Sequence, residues 1–157
     1  MTPPKPAPAS AVPLLSVQNL AVEYPAASGW TQAVKGISFD LPPGGALALV
    51  GESGSGKSST AMAIGRLSDL QSARLGGRIL FEGRDVIRME PKDLQALRRA
   101  GLAYVFQEPM VTLNPVLRVR PQIEEVLPDR AAGQGAQAAR AAVQKFLEEA
   151  RIPAQDA

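Results

Sequence analysis

The stretch that decides the fold is ALALVGESGSGKSS, residues 46–59. Its first five residues, 46–50, are apolar without alternation, which is typical of a strand buried on both faces of a sheet. The next eight residues, Gly51–Ser58, match the pattern G-x-x-x-x-G-K-[ST], and helix-forming residues follow them. A buried strand, a glycine-rich loop and a helix in direct succession predict a phosphate-binding loop in an α/β domain.

Each residue type in this loop has a physical reason to be there. Gly51, Gly54 and Gly56 allow positive φ and close approach of a ligand, so that successive N–H groups can form a concave anion site. The helix that begins near Lys57 adds unpaired amides and the positive end of its dipole. Lys57 is placed to reach the β- and γ-phosphates of a nucleotide, and the Ser58 hydroxyl is a ligand for Mg²⁺. The loop alone does not choose among ATPases, GTPases and nucleoside kinases.

The composition narrows the possible chemistry. The 157 residues are 45% apolar and 20% charged with a net charge of +2, as expected of a soluble globular domain. There is no cysteine and no histidine, which excludes disulfides, thiolate metal sites and the commonest general base near neutral pH. The basic residues are spread along the chain rather than clustered, so we expect no nucleic-acid partner. No apolar run reaches the roughly 20 residues that cross a bilayer, and we expect a cytoplasmic protein that meets a membrane only through a partner.

The spacing of apolar and turn residues predicts the remaining elements. Residues 1–13 form a Pro- and Ala-rich tail that we expect to be disordered, and 14–157 form the folded domain. The predicted strands are 14–24, 33–41, 46–50, 78–82 and 102–106, with a break at Gly76-Gly77 and with 46–50 and 102–106 buried on both faces. The predicted helices are 57–67, one from Pro91 to Arg99, a short one within 116–127 that Pro121 interrupts, and 137–151. The last helix should bury Ala139, Val143, Phe146, Leu147 and Ala150.

Three parts of the sequence resemble the ATPase subunits of ABC transporters, notably those of oligopeptide and dipeptide importers. They are the loop Gly51–Ser59, the segment Tyr104–Pro109 with Leu113–Pro115 after it, and the opening strands at 14–24, 34–39 and 77–83. The resemblance runs from about Leu14 to about Pro153 and implies a P-loop NTPase (ABC ATPase) fold that is incomplete. Residues 14–157 would then be part of a nucleotide-binding domain: a β-rich N-terminal subdomain, the first part of the RecA-like core and the start of the helical subdomain.

The resemblance also implies roles for individual residues toward ATP and Mg²⁺. Tyr24 matches the aromatic residue that stacks on adenine. Gln107 matches the glutamine that touches Mg²⁺ and the attacking water and that couples the nucleotide site to the membrane subunit. As an amide it can orient a ligand but cannot act as a base. Lys57 and Gln107 are thus the predicted catalytic residues, and Ser58 and Gln107 the predicted metal ligands. The predicted nucleotide-binding residues are Tyr24, Gly51, Glu52, Ser53, Gly54, Ser55, Gly56, Lys57, Ser58 and Ser59.

Four features that the family's ATPases need are not found in this sequence. They are the Leu-Ser-Gly-Gly signature, an Asp at the end of an apolar strand, the Glu that follows it, and a switch histidine. Neither Gly44-Gly45 nor Gly76-Gly77 has the neighbours of the signature, and no acidic residue after Gln107 follows four apolar residues. We therefore expect a fragment that is weakly stable on its own, because strands of its core would lack partners. We also expect that this chain alone does not turn over ATP.

For the intact domain, the resemblance implies ATP hydrolysis that energises solute import. The implied partners are transmembrane permease subunits, a second ATPase subunit in a homo- or heterodimer, and indirectly a solute-binding protein. The implied location is the cytoplasmic face of the inner membrane, and peptides are the favoured solute, with nickel and other solutes as alternatives. Two other hypotheses stay open: a non-catalytic nucleotide-binding fragment, and a P-loop kinase with an arginine-rich lid and an acceptor pocket.

Overall fold

The computed structural model describes residues 12–107, 113–127 and 136–152. Most of the predicted tail at 1–13 therefore lies outside the described residues, as do the predicted linker after residue 130 and the stop at Pro153. The chain divides into two compact units, Met1–Gln95 and Ala96–Ala157. Each unit has its own buried side chains.

A four-stranded antiparallel sheet forms the frame of the first unit. Its strands are β1 (Leu15–Ala26), β2 (Gly29–Leu41), β3 (Arg74–Phe81) and β4 (Arg84–Asp85), in the order β2-β1-β3-β4. The turn Ala27-Ser28 joins β1 to β2 as a tight hairpin. The strands predicted at 14–24, 33–41 and 78–82 are confirmed, and β2 and β3 begin earlier than predicted.

The core of this unit lies along one side of β1 and β3. Val17, Leu20, Val22 and Ile79 are at most 1% exposed. Val17 and Leu20 are three positions apart, which simple strand alternation would place on opposite faces. Both are buried because a bulge interrupts the pairing between them, where Asn19 adopts φ +48°.

The Gly76-Gly77 pair lies inside β3 and faces this bulge. The predicted break at this pair is wrong, because both glycines belong to the strand and Gly76 pairs with Ala21. Gly77 has φ +85°, and a Cβ there would meet the carbonyl oxygens of Gln18 and Asn19. The pair therefore allows close approach of two backbones rather than ending the strand.

The helices of the first unit follow the predicted order with shorter bounds. The helix α1 spans Lys57–Ile64, and Arg66 at φ +54° ends it ahead of a 3-10 helix at Leu67–Gln71. A second 3-10 helix spans Val86–Arg88. The helix α2, Pro91–Ala100, crosses the division between the units. Its buried residues are Leu94 and Leu97, as the spacing predicted.

Two helices form the small core of the second unit. They are α3 (Val119–Val126) and α4 (Ala136–Glu149), and Leu127, Val143 and Leu147 are buried with Ile123, Ala139 and Ala142 packed against them. Pro121 does not interrupt α3, because it lies in the first turn, where its missing N–H has no intrahelical acceptor. The predicted burial of Phe146 and Ala150 is wrong: Phe146 is 49% exposed, and Ala150 is also exposed. The side chains packed against this core are Ile123, Ala139 and Ala142, and Phe146 is not among them.

The two strands predicted to be buried on both faces are corrected by the structure. Residues 46–50 and 102–106 carry no strand assignment. Val50 is 94% exposed and Val105 is 98% exposed. A strand needs a neighbour to pair its N–H and C=O groups, and none of the described residues supplies one. The apolar pattern of these segments predicts that they are buried. The described residues supply no neighbouring strand that would bury them.

Candidate phosphate-binding site

In the loop between 46–50 and α1, two of the three glycines have the positive φ that the sequence allows for. Gly54 and Gly56 have φ +80° and +89°, values that side chains rarely allow. Gly51 does not have positive φ, but a Cβ there would lie 2.7 Å from the Ser55 Oγ. A hydrogen bond from the Ser55 amide to the Glu52 carbonyl, 3.3 Å, closes the turn. The loop is therefore a compact turn whose outer surface is exposed.

The N-terminus of α1 has no side-chain cap. Its N-cap residue is Gly56, and no acidic residue lies in the first turn. The Thr60 amide donates to the Gly56 carbonyl at 2.8 Å, which is the first bond of the helix. The described residues offer no acceptor to the amides of Lys57, Ser58 and Ser59. This helix end has the free donors and the positive dipole end that favour an anion.

The Lys57 ammonium group is held inside the loop by three oxygen atoms. Its Nζ donates to the Gly51 carbonyl at 2.8 Å, to the Glu52 carbonyl at 2.6 Å and to the Ser55 Oγ at 3.3 Å. These contacts use all three of its hydrogens. They place a positive charge at the centre of the loop without a neutralising carboxylate.

Thr60 is a site residue that the sequence analysis missed. It is 2% exposed, and its Oγ1 donates to the Gly56 carbonyl at 2.9 Å in addition to the bond from its amide. Two bonds from one residue thus fix the carbonyl of the glycine before Lys57. The position of Thr60 four residues after Gly56 was the available signal, since a helical threonine commonly bonds back to that carbonyl.

A groove of about 700 Å³ runs between the loop and β2. The loop contributes Gly54, Ser55 and Lys57, and β2 contributes Thr31 and Lys35 among others. The predictions named no β2 residue for the site. Lys35 brings a second positive charge to the groove, which adds to its preference for an anionic ligand.

Tyr24, Ser58 and Ser59 occupy different positions relative to this groove. Tyr24 on β1 is partly exposed and does not line the groove, but its cross-strand partner Thr31 does. Cross-strand partners point to the same face of a sheet, so the Tyr24 ring lies beside the groove. Ser58 is exposed and no described residue bonds its hydroxyl, whereas Ser59 is partly buried. The stacking role of Tyr24 remains a prediction.

Gln107 belongs to the second unit and is exposed. The rings of Tyr104 and Phe106 just before it are stacked with centroids 6.1 Å apart. Glu108 and Pro109 lie outside the described residues. The predicted approach of Gln107 to the loop and to Mg²⁺ remains a prediction.

Two features are absent from the part of the chain that the structure describes. Among the described residues, no group of three or more acidic side chains is placed to hold a metal ion. In the same residues, no helix combines the length and the apolar character that would carry it across a membrane.

A comparison with protein families matches residues 34–157 to the profile described as "ABC transporter". The matched segment contains the whole loop and Gln107.

Two similar proteins carry names that assign them to the transport of peptides or dipeptides. An ATP-binding protein of Brucella melitensis, whose name assigns it to peptide import, is 45% identical over 141 residues, which is 90% of this chain and 42% of the relative. The dipeptide transport ATP-binding protein DppD of Bacillus subtilis is 46% identical over 115 residues, 73% of this chain and 34% of the relative. The chain thus spans less than half the length of these relatives.

Solved structures support the fold. A dimeric ATP-binding cassette in a post-hydrolysis state, bound to ADP and Pi, matches with a TM-score of 0.75 at 22% identity. The match covers 91% of this chain and 60% of that one. A second dimeric structure of a bacterial ABC transporter cassette matches with a TM-score of 0.66 at 19% identity.

Proposed function

Because the chain belongs to the ABC transporter family, we propose that its Gly51–Ser58 loop binds the triphosphate of ATP together with Mg²⁺. The observation that carries the proposal is the uncapped N-terminus of α1 beside the Lys57 ammonium group. Both present positive charge to the same exposed loop, and an anion there would satisfy amides that the described residues leave unpaired.

Different residues contact different parts of the nucleotide. The free amides of Lys57, Ser58 and Ser59 bind phosphate oxygens. The 3.3 Å contact of Lys57 with the Ser55 Oγ is the longest of its three and exchanges most readily for a phosphate oxygen. The carbonyls of Gly51 and Glu52 keep the ammonium group in place meanwhile. The Tyr24 ring, beside the groove, stacks on the adenine.

The residues also fit a magnesium ion that arrives with the nucleotide. The Ser58 hydroxyl is exposed, has no described partner and is a hard oxygen ligand, and Gln107 is the second predicted ligand. When bound, the ion neutralises charge on the phosphate oxygens. A protein site with so few ligands suits Mg²⁺, which keeps several waters and binds through substrate phosphates.

For the whole protein, we propose ATP hydrolysis that drives peptide import. The names of the Brucella and Bacillus relatives support peptides as the solute. The partners would be transmembrane permease subunits, a second ATPase subunit, as the dimeric neighbours suggest, and indirectly a solute-binding protein. The protein would lie peripherally on the cytoplasmic face of the inner membrane.

The binding proposal is tested by isothermal titration of the 157-residue chain with Mg-ATP. We expect saturable binding, and we expect Lys57→Ala to weaken it by about 10- to 100-fold, since a hydrogen bond to a charged group is lost. The matched control is Lys35→Ala, which removes the other lysine of the groove. Its ammonium group is not held by the loop, so the loss should stay below about threefold. Equal losses in the two variants would show that the groove attracts anions without a specific loop site.

Turnover by this chain alone is a separate question. The sequence offers neither the signature, the Asp-Glu pair nor the histidine of the family's ATPases, so we expect binding without phosphate release. Release of phosphate that Lys57→Ala abolishes would contradict this expectation. Transfer of phosphate to an added acceptor would instead favour the kinase hypothesis.

A further inference from the structure

We infer that Thr60 is a positioning residue of the Gly51–Ser58 loop. Its hydroxyl holds the peptide between Gly56 and Lys57 in the orientation that presents an N–H group to a bound phosphate. The inference rests on the proposed function for the identity of the ligand. All the residues involved belong to the first unit. Thr60 is 2% exposed, so it acts through the loop and not by touching the ligand.

Two donors of Thr60 converge on a single oxygen atom. The Thr60 amide lies 2.8 Å from the Gly56 carbonyl oxygen, and the Thr60 Oγ1 lies 2.9 Å from the same atom. The bond from the amide is the ordinary first bond of α1, which any residue other than proline would make. The bond from the hydroxyl is specific to the side chain, and its burial keeps water from competing for the carbonyl. The Gly56 carbonyl therefore accepts as many bonds as it has lone pairs.

The geometry of the peptide bond carries this restraint to the open side of the loop. The peptide between Gly56 and Lys57 is planar and trans, so its C=O and N–H groups point in opposite directions. The carbonyl points into α1 toward Thr60, and the Lys57 N–H therefore points out of the helix N-terminus. Among the described residues this N–H has no acceptor. Fixing the carbonyl thus fixes the direction of a donor that an anion can use.

This peptide needs a restraint because the residue before it supplies little. Gly56 is the N-cap of α1 with φ +89°, and it has no side chain with which to cap the helix. Glycine has the widest choice of backbone conformations, and the ends of helices fray. A reversed peptide would present a carbonyl oxygen to the phosphate in place of an N–H group. The hydroxyl bond of Thr60 opposes that reversal.

The same bond also strengthens the donor. A carbonyl that accepts hydrogen bonds polarises its peptide unit, and bonds linked in this way reinforce one another by roughly 10–30% each. The Lys57 N–H belongs to the peptide unit that Thr60 polarises. It should therefore bind an anion more strongly than the N–H of a peptide whose carbonyl accepts only one bond.

The first test compares two substitutions that separate the two groups of the Thr60 side chain. Thr60→Val keeps the shape and removes the hydroxyl, whereas Thr60→Ser keeps the hydroxyl and removes the methyl group. In titration of the 157-residue chain with Mg-ATP, Thr60→Val should weaken binding by about three- to fivefold, because a smaller fraction of molecules holds the competent peptide orientation. Thr60→Ser should bind within about 1.5-fold of the parent chain, since the hydroxyl bond remains.

A role of Thr60 in packing alone predicts a different order. The buried methyl group would then matter most, and Thr60→Ser would lose as much affinity as Thr60→Val or more. Urea denaturation supplies the comparison, because both variants should be less stable than the parent chain, one for a lost hydrogen bond and the other for a lost methyl group. An affinity that fell with stability in both variants would overturn the inference, as would an unchanged affinity in Thr60→Val.

The second test needs no nucleotide. Loss of a hydrogen bond to a carbonyl moves its carbon resonance upfield, so NMR of the isotope-labelled chain should show this shift at Gly56 in Thr60→Val. The amide nitrogen resonance of Lys57 should change with it, and Thr60→Ser should leave both resonances near their parent positions. Unchanged resonances in Thr60→Val would show that the hydroxyl does not hold this peptide. If the parent chain binds no Mg-ATP, the proposed function fails and the phosphate contact fails with it, while these resonances still decide whether Thr60 fixes the peptide.

Discussion

A Cβ at Gly56 would lie 2.5 Å from the carbonyl oxygen of Ala33 on β2. It would also lie 3.1 Å from the Cγ2 of Val34, and the φ of Gly56 is +89°. The residue before Lys57 therefore touches the backbone of a strand that is distant in sequence. This contact seats the Gly51–Ser58 loop on the sheet, and it requires a residue without a side chain.

Replacing Gly56 by alanine should destabilise the first unit. The positive φ costs about 1 kcal/mol, and the clash with a backbone oxygen that cannot rotate away costs about 1–3 kcal/mol. The measurement is urea denaturation followed by circular dichroism. The control is Gly44→Ala, where φ is +69° and nothing lies within 4 Å of the added Cβ. Equal decreases in the free energy of unfolding for the two variants would show that the contact with Ala33 does not contribute to stability.

Removing the hydroxyl of Ser68 should stabilise the protein. Ser68 is fully buried, and its Oγ has no hydrogen-bond partner among the described atoms. A buried hydroxyl without a partner costs about 1–3 kcal/mol, so Ser68→Ala should raise the free energy of unfolding by about 1 kcal/mol. The matched variant is Thr60→Val, which removes a buried hydroxyl that does have a partner, the Gly56 carbonyl. It should lower stability by about 1 kcal/mol. The same sign in both variants would contradict the assignment of partners.

The residues of the loop and the antiparallel strands were predictable because local rules determine them. The glycine spacing of Gly51–Ser58 fixes where positive φ is possible, and the apolar residues within 14–24 and 33–41 mark these segments as strands. The family assignment followed from the same loop together with the segment around Gln107, and the comparisons confirm it. These features need information from only a few neighbouring residues.

The predictions were wrong where contacts between residues distant in sequence determine the structure. Continuous apolar runs at 46–50 and 102–106 predict buried strands, yet no described residue pairs with either run. The bulge at Asn19 and its partner Gly77 depend on pairing between β1 and β3, so a glycine pair that signals a break in sequence became part of a strand. The contribution of β2 to the groove likewise depends on packing that no local pattern records.

The single tryptophan provides a test of the hairpin end of the sheet. The Arg74 guanidinium lies 3.7 Å from the centroid of the Trp30 ring, and Trp30 is 41% exposed. Arg74→Ala should shift the tryptophan emission to longer wavelength, because water replaces the guanidinium over the ring. The expected loss of stability is about 0.5–1 kcal/mol, the value of an exposed cation–π contact. The control is Arg78→Ala on the same strand, which should leave the emission unchanged. An equal shift in that variant would show that the emission responds to the positive charge of β3 and not to the contact between Arg74 and Trp30.

The exposure of residues 102–106 can be tested against their apolar sequence by replacing one valine. Val105 is 98% exposed, so Val105→Thr should change the free energy of unfolding by less than about 0.5 kcal/mol. Val22 is fully buried on β1, and the identical change Val22→Thr should cost about 1–3 kcal/mol because a hydroxyl enters the core without a partner. Both variants are measured by urea denaturation, with binding of a hydrophobic dye as a second readout of exposed apolar surface. A loss of more than 1 kcal/mol for Val105→Thr would show that the segment is buried after all, as its sequence predicts.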